Sequence, residues 1–279
     1  MKKEIYPCLW LDGTAREAAG FYASVFGESE IESDNGLVVM LRMSNQRFML
    51  LNGGPLFKIN PSVSFYTSLP DINEIERVWT LLVNGGSVLM PLDIYPWSKK
   101  YGWVIDRYGV SWQLTTGSIQ EPDRKFVPAL MLTGAMNGKA RMAVEFYTSL
   151  FSNSSVKFLA GYEEGEGDVV GNIKHGQFRL NDQTFAIMES SLTQNFTFNE
   201  GISFVIECDT QEEIDFLWNS FTKEGKESMC GWLRDPFGVS WQIIPSVLSS
   251  LMSDPDRSKR VVAAFMKMKK FDIETILKA

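Results

Sequence analysis

Apolar residues recur at helical spacing in four stretches of the chain, with alternating runs between them. In the first stretch, Ala18, Phe21, Tyr22 and Val25 stand at i, i+3, i+4 and i+7 and form one apolar face. Thr14 precedes it, with Glu17 three residues on, the pattern of a capping box. A second helix, opened by Asp71 and Glu74, presents Ile75, Val78, Trp79 and Leu82. Asn84-Gly85-Gly86 ends it, since glycine accepts the left-handed cap conformation. The third presents Ala143, Phe146, Tyr147 and Leu150; the fourth, opened by Thr210 and Glu213, presents Ile214, Leu217, Trp218 and Phe221. On these faces Trp79 and Trp218 read as core. Short β-type runs fall at 38–43, 47–51, 62–68, 102–106 and 110–115. Asp106-Arg107-Tyr108-Gly109 and Asp235-Pro236-Phe237-Gly238 read as tight hairpin turns. Beyond Pro245 the pattern is helical again. Asp254 caps a helix with Pro255 at its first position and a stripe of Val261, Ala264, Phe265 and Met268, and Asp272 caps a last short one. The stripe predicts that this tail docks. Lys267, Lys269 and Lys270 read as its solvated side.

The chain also repeats itself. AREAAGFYASVF (15–26) returns as ARMAVEFYTSLF (140–151), DINEIERVW (71–79) as TQEEIDFLW (210–218), and YGWVIDRYGVSWQL (101–114) as CGWLRDPFGVSWQI (230–243). Three matched blocks in one order predict two homologous domains, 1–116 and 127–246, joined by a polar linker at 117–126 and followed by a helical tail at 247–279. Each copy reads as strand–helix–strands twice over. The fold class is α+β: four βαβββ units forming two cup-shaped, mostly antiparallel sheet domains, plus C-terminal helices. Each copy is expected to hold its own sheet, and the two to pack as an intrachain pseudo-dimer. A homodimer of the whole chain stays open.

Composition narrows the function classes. Of 279 residues, 44% are hydrophobic and 22% charged, which is globular rather than disordered. A net charge of −7 gives no general attraction for nucleic acid or anionic lipid, so neither is expected as a partner. The N-terminal MKKEIYPCLW has no signal-peptide apolar region, and no run of about 18 apolar residues occurs. Cys8, Cys208 and Cys230 are too few and too scattered for a disulfide framework or a thiolate zinc site. Cytoplasmic residence is expected. Cys230 has no acid–base group near it in sequence and reads as a structural thiol. There is one histidine, His175, which excludes any mechanism needing two within the chain.

The βαβββ units, the FYxSxF helix and the DxFGxSWQ hairpin resemble the vicinal oxygen chelate superfamily, which includes glyoxalases and dioxygenases. More narrowly, the segments at 175–190, 196–218 and 230–245 and the tail resemble the PhnB-like proteins labelled 3-demethylubiquinone 3-methyltransferase-like. The resemblance implies paired units forming a cup. It also implies that metal-dependent relatives carry ligands on the first and last strands of each unit. Those positions read here as Pro7, Asn52, Ser62 and Gln113 in copy one and Pro128, Glu189, Gly201 and Gln242 in copy two. Only Glu189 among them is anionic, so no metal is expected. The methyltransferase label implies S-adenosylmethionine, yet no GxGxG or GxGxxG occurs. Asn52-Gly53-Gly54-Pro55 and the Gly161–Gly165 stretch lack the spacing and the following helix. Neither methyl transfer nor any cofactor is expected.

What remains is the lining of a cup. If the strand at His175 alternates, His175, Gln177 and Arg179 share one face and Phe178 and Leu180 the other. His175 is the candidate catalytic residue, a neutral imidazole able to act as general base. Tryptophans beside amides, namely Trp10, Trp97, Trp103 and Trp112 with Gln113, and Trp232 and Trp241 with Gln242, suit a small-molecule pocket. Trp112 and Gln113 must face opposite ways, and the glutamine is taken as the inward one of each pair. The candidate ligand-binding set is Trp10, Trp97, Gln113, Gln177, Glu189, Trp232 and Gln242. The expected function is metal-independent small-molecule binding. The alternative is an enzyme of the same superfamily, with lyase, isomerase or transferase chemistry and a weak or lost metal site. A structural role with both cups filled by side chains is the third reading.

Overall fold

Four strand–helix–three-strand units follow one another along the chain. The first is β1 (Ile5–Leu11), α1 (Ala15–Phe26), β2 (Ser29–Asp34), β3 (Val38–Met43) and β4 (Gln46–Asn52). The second is β5 (Val63–Leu69), α2 (Ile72–Val83), β6 (Ser87–Tyr95), β7 (Ser98–Ile105) and β8 (Ser111–Thr116). The third is β9 (Phe126–Thr133), α3 (Ala140–Leu150), β10 (Ser154–Gly161), β11 (Ile173–Leu180) and β12 (Gln183–Ser190). The fourth is β13 (Ile202–Cys208), α4 (Gln211–Thr222), β14 (Lys226–Glu227), β15 (Trp232–Arg234) and β16 (Ser240–Pro245). Then come α5 (Leu248–Met252), α6 (Pro255–Phe265) and α7 (Ile273–Lys278). The computed structural model describes residues 4–117, 125–181 and 183–279, apart from the side chain of Pro255; most of the expected linker, 118–124, lies outside the described residues.

Within each unit the first strand pairs parallel with the last, and the remaining pairings are antiparallel. This leaves the other edge of each first strand open, an edge that must be covered. β1 pairs antiparallel with β13, Ile5 opposite Ile206, and β5 pairs antiparallel with β9, Val63 opposite Leu130. Unit one therefore joins unit four in sheet one, ordered β14-β15-β16-β13-β1-β4-β3-β2. Unit two joins unit three in sheet two, ordered β10-β11-β12-β9-β5-β8-β7-β6. The expectation that each copy holds its own sheet is corrected here: each sheet takes one unit from each copy. The copies are thus tied together by backbone pairing on both sides of the pseudo-twofold. Between them Asn60 Nδ2 donates to the Thr197 carbonyl at 3.0 Å, and Asn199 Nδ2 to the Lys58 carbonyl at 2.9 Å.

The core lies between the two sheets, with the helices wedged around it. Phe48 of sheet one meets Phe65 of sheet two at 5.4 Å, and Phe204 meets Phe185 at 5.1 Å. The hairpin aspartates hold the helices to this core. Asp235 accepts from the backbone N–H of Phe237 and Val239, from Trp241 Nε1 and from the Tyr147 hydroxyl on α3. Asp106 does the same for Tyr108, Val110 and Trp112. Burial raises the pKa of both carboxyls, that of Asp235 to about 6.

The helix signals resolve unevenly. Asp71 caps α2, and Thr210 with Glu213 forms the full capping box on α4. Thr14 makes no cap bond; Glu17 accepts from the Tyr108 hydroxyl, and the first N–H of α1, on Ala15, goes to Asn52 Oδ1 instead. The tail docks through buried Val261, Phe271 and Ile276. Its backbone carbonyls at Met268 and Lys269 accept from Cys230 and Gly231, and Lys269 and Lys270 pair with Glu227 and Asp215 rather than standing free. No helix among the described residues is long and apolar enough to cross a membrane.

Candidate functional site

Cross-strand partners share a face. In sheet two the face turned away from the core carries Ser64 and Tyr66 on β5, Gln113 on β8, Tyr101 on β7, Val127 and Ala129 on β9, Ala186 and Met188 on β12, and His175 and Gln177 on β11. This face is concave. β5 and β11 are separated by β9 and β12, about 14 Å in a flat sheet. Yet the Tyr66 and His175 rings lie only 6.3 Å apart. Sheet one curves likewise, bringing Trp10 of β1 to 5.7 Å from Trp232 of β15 across β13 and β16.

The floor of the second cup is apolar. Val127, Ala129 and Ala186 form a small buried cluster apart from the main core, and Tyr66 and Met188 pack over it. Beside it the Tyr101 hydroxyl donates to Gln113 Oε1, and Gln113 Nε2 donates to Ser64 Oγ, each at 2.7 Å. Burial raises the pKa of both tyrosines, the nearby Thr115 hydroxyl holding Tyr66 back somewhat. The long β6–β7 hairpin forms the rim, with Tyr95 stacked on Trp97 and both against Tyr101. His175 is half-buried between Tyr66 and Phe158, the latter 5.4 Å away. No hydrogen bond joins its ring nitrogens to another described residue. Burial lowers its pKa, so the imidazole is neutral at pH 7.

The first cup is crossed by its own side chains. Trp10 donates to the Gly54 carbonyl and packs edge-on against Phe57 and Trp232. A Cβ on Gly53 would meet the Trp10 indole at 2.2 Å, so only glycine lets this ring seat. At the other end Tyr6 donates to Glu207, and Arg47 bridges Glu207, Glu4 and Glu32, with Arg42 on Glu32. Between them Gln242 Nε2 donates to Ser203 Oγ, repeating the Gln113–Ser64 pair, and burial pushes the Cys8 thiol up to about 12.

The predicted site residues therefore separate. Trp10, Trp232 and Gln242 fall in the first cup; His175, Gln113, Gln177 and the exposed rim residue Trp97 fall in the second. Glu189 falls in neither. It shares the core face with Leu132, and its two oxygens accept from the backbone N–H of Ala140, at the start of α3, and of Ile173. Pro7 and Pro128 likewise face the core, opposite Phe204 and Phe65. Sequence reasoning missed Tyr66, Tyr101, Ser64 and Phe158. The alternation of Ser64, Tyr66 and Ser68 against Phe65, Thr67 and Leu69 was the available signal. Cys230 lies 3.7 Å from Met266 Sδ, its thiol pKa raised by burial.

The comparisons with known proteins agree with this architecture. Glyoxalase I from Zea mays matches at a TM-score of 0.55 and 14% identity, covering 91% of this chain and 97% of that one, which makes the glyoxalase fold the class of the molecule. The 3-demethylubiquinone-9 3-methyltransferase family model matches residues 3–115 and again 124–244, and the chain belongs to that family. A Bacillus cereus protein, named among the 3-demethylubiquinone-9 3-methyltransferases and called a PhnB protein, is 37% identical over 40% of this chain and 98% of its own, with a TM-score of 0.38. A Pseudomonas aeruginosa protein is 26% identical over 39% and 93%, with a TM-score of 0.35. No curated protein matches.

Neither group implied by these relatives fits the residues present. S-adenosylmethionine calls for a helix N-terminus that is free to meet the ligand. The helices after the first strands are each capped from within, α1 by Asn52, α2 by Asp71, α3 by Glu189 and α4 by Thr210. For a metal, the inward first-strand residues include Cys8, Ser203 and Glu207 in one cup, Glu207 being held by Tyr6 and Arg47, and Ser64, Tyr66 and Ala129 in the other; the last strands add Met49 and Gln242, and Gln113 and Ala186. Among the described residues no group of three or more His, Cys, Asp or Glu could hold a metal ion.

Proposed function

We propose that this protein binds a compact small molecule, without a metal, on the concave face of sheet two. The observation that carries the reading is His175: a neutral imidazole whose ring nitrogens make no hydrogen bond to the described residues, set among aromatic rings over an apolar floor. An apolar surface with a few convergent polar groups is what small-molecule sites require. Gln113 and Gln177 are the amides beside it, and Trp97 stands at the rim. Sheet one is the poorer candidate because interlocked tryptophans and ion pairs already occupy its face. Cytoplasmic residence belongs to the same proposal. It rests on a cysteine count of three, two of them buried, too few for a disulfide framework.

The test is a thermal-shift screen of aromatic metabolites in the presence of EDTA. A ligand selective for the native state raises the midpoint by mass action. A shift that persists in EDTA supports the reading; a shift that requires added metal supports the enzyme alternative. No shift with any compound favours a structural role.

A further inference from the structure

The solvent-facing layer of sheet two also restricts what kind of molecule can lie there, given the binding role proposed above. Its surfaces are π faces and a thioether: Tyr66, Phe158, Tyr101, the Tyr95–Trp97 stack and Met188. Its charged groups lie at the margins, Asp93 opposite Tyr101 on the β6–β7 rim and Arg179 near Lys157 at the far end of β11, away from His175. No acidic side chain stands on the inward positions of β9, β12, β11, β5 or β8. On the described residues of those five strands the inward cation is Arg179, which donates through Nε to the Asn181 carbonyl at the far end of β11. Lys174 alternates to the other face and pairs with Glu166, and Glu189 is turned to the core. The groups packed around His175 are therefore Tyr66, Phe158, Ala160 and Met188, of which only Tyr66 titrates. A charged ligand would be desolvated here with no counter-charge beside it. A neutral imidazole offers one donor and one acceptor, the complement of a hydroxyl.

We propose that the ligand is an uncharged, planar aromatic molecule bearing an edge hydroxyl, the ring resting on Tyr66 and Phe158 and the hydroxyl meeting a ring nitrogen of His175. The equivalent position in sheet one is Val38, three residues before Leu41 as His175 is before Phe178, so the strand accommodates an aliphatic residue there. His175→Val is thus a substitution that the fold itself already uses.

Calorimetric titration at pH 7.5 with EDTA tests this with 2-naphthol, 2-methoxynaphthalene, 2-naphthoate and 2-naphthylmethylammonium. 2-Naphthol is expected to bind tightest, by about three- to tenfold over 2-methoxynaphthalene, the span of one neutral hydrogen bond. His175→Val should erase that difference while leaving the melting midpoint near wild type, and His175→Gln should keep part of it. Should His175→Val fail to fold, His175→Gln and the wild-type ranking decide. Equal binding of naphthol and its methyl ether overturns the hydroxyl assignment. Tightest binding of the carboxylate, strengthening as pH falls, or of the ammonium overturns the uncharged class while the binding role stands. If none of the four binds while the aromatic-metabolite screen finds a ligand, the hydroxyaromatic assignment fails and the binding role stands; if neither finds one, both fail.

Discussion

Glu189 offers the sharpest contrast between a ligand residue and a structural one. The side chain is 3% exposed, and its oxygens lie 2.9 Å from the Ala140 nitrogen and 2.6 Å from the Ile173 nitrogen. Glu189→Ala removes two hydrogen bonds to a charged acceptor and strands two backbone donors. At about 1.5–3 kcal/mol per such bond, and with some overlap between the two, the loss should be about 3–5 kcal/mol. That corresponds to a drop on the order of 10 °C in melting temperature for a chain of this size. Asn52 does the same job for Ala15 with a neutral amide, so Asn52→Ala should cost less, about 1–2 kcal/mol. Urea unfolding followed by tryptophan fluorescence measures both. Ligand affinity of the folded Glu189→Ala protein should match wild type. A variant that melts like wild type but has lost ligand or metal binding would refute the structural assignment.

Deleting 253–279 removes buried Val261, Phe271 and Ile276, worth about 5–9 kcal/mol together as an upper bound, so the truncated protein should melt far lower or precipitate; an unchanged midpoint contradicts docking. Burial raises Asp235 from 3.8 to about 6, so the folded state binds the proton more tightly than the unfolded one. The stability this group contributes is then full below pH 4 and lost as pH rises towards 6. Relative to Asp235→Asn, which does not titrate, wild type should lose on the order of 2–3 kcal/mol across that window; a pH-independent difference would contradict the shift. Elemental analysis of untagged protein purified without added metal should find well under one equivalent of zinc, nickel, iron or manganese. One tightly held equivalent would restore the enzyme reading.

Local rules reached far in this chain. Helix faces at Ile75–Val78–Leu82 and Ile214–Leu217–Phe221, the caps at Asp71 and Thr210, and the turns at Asp106 and Asp235 were all legible, because each is decided within a few residues of sequence. The partner of β1 was not. Its open edge could have met β5 of its own copy, and nothing in IYPCLWL distinguishes that edge from β13. Strand direction was the second limit. A one-residue change of parity exchanges the two faces, and it moved Glu189, Pro7 and Pro128 from the expected lining into the core while leaving Gln113 and Gln242 inward. His175 and Gln177 were placed on one face correctly because alternation alone fixes them. What sequence could not supply was curvature, which brings Tyr66 to His175 across two intervening strands.

His175 is the single histidine of the chain, so its imidazole C2 proton gives one isolated resonance. The most direct measurement is to follow that resonance by NMR while titrating 2-naphthol in EDTA, and then across pH. The account predicts a saturable shift on binding, and in the free protein a titration midpoint below the ordinary 6.5 because burial disfavours the cation. A ligand that binds by calorimetry yet leaves this resonance unmoved would place the site elsewhere and contradict the account.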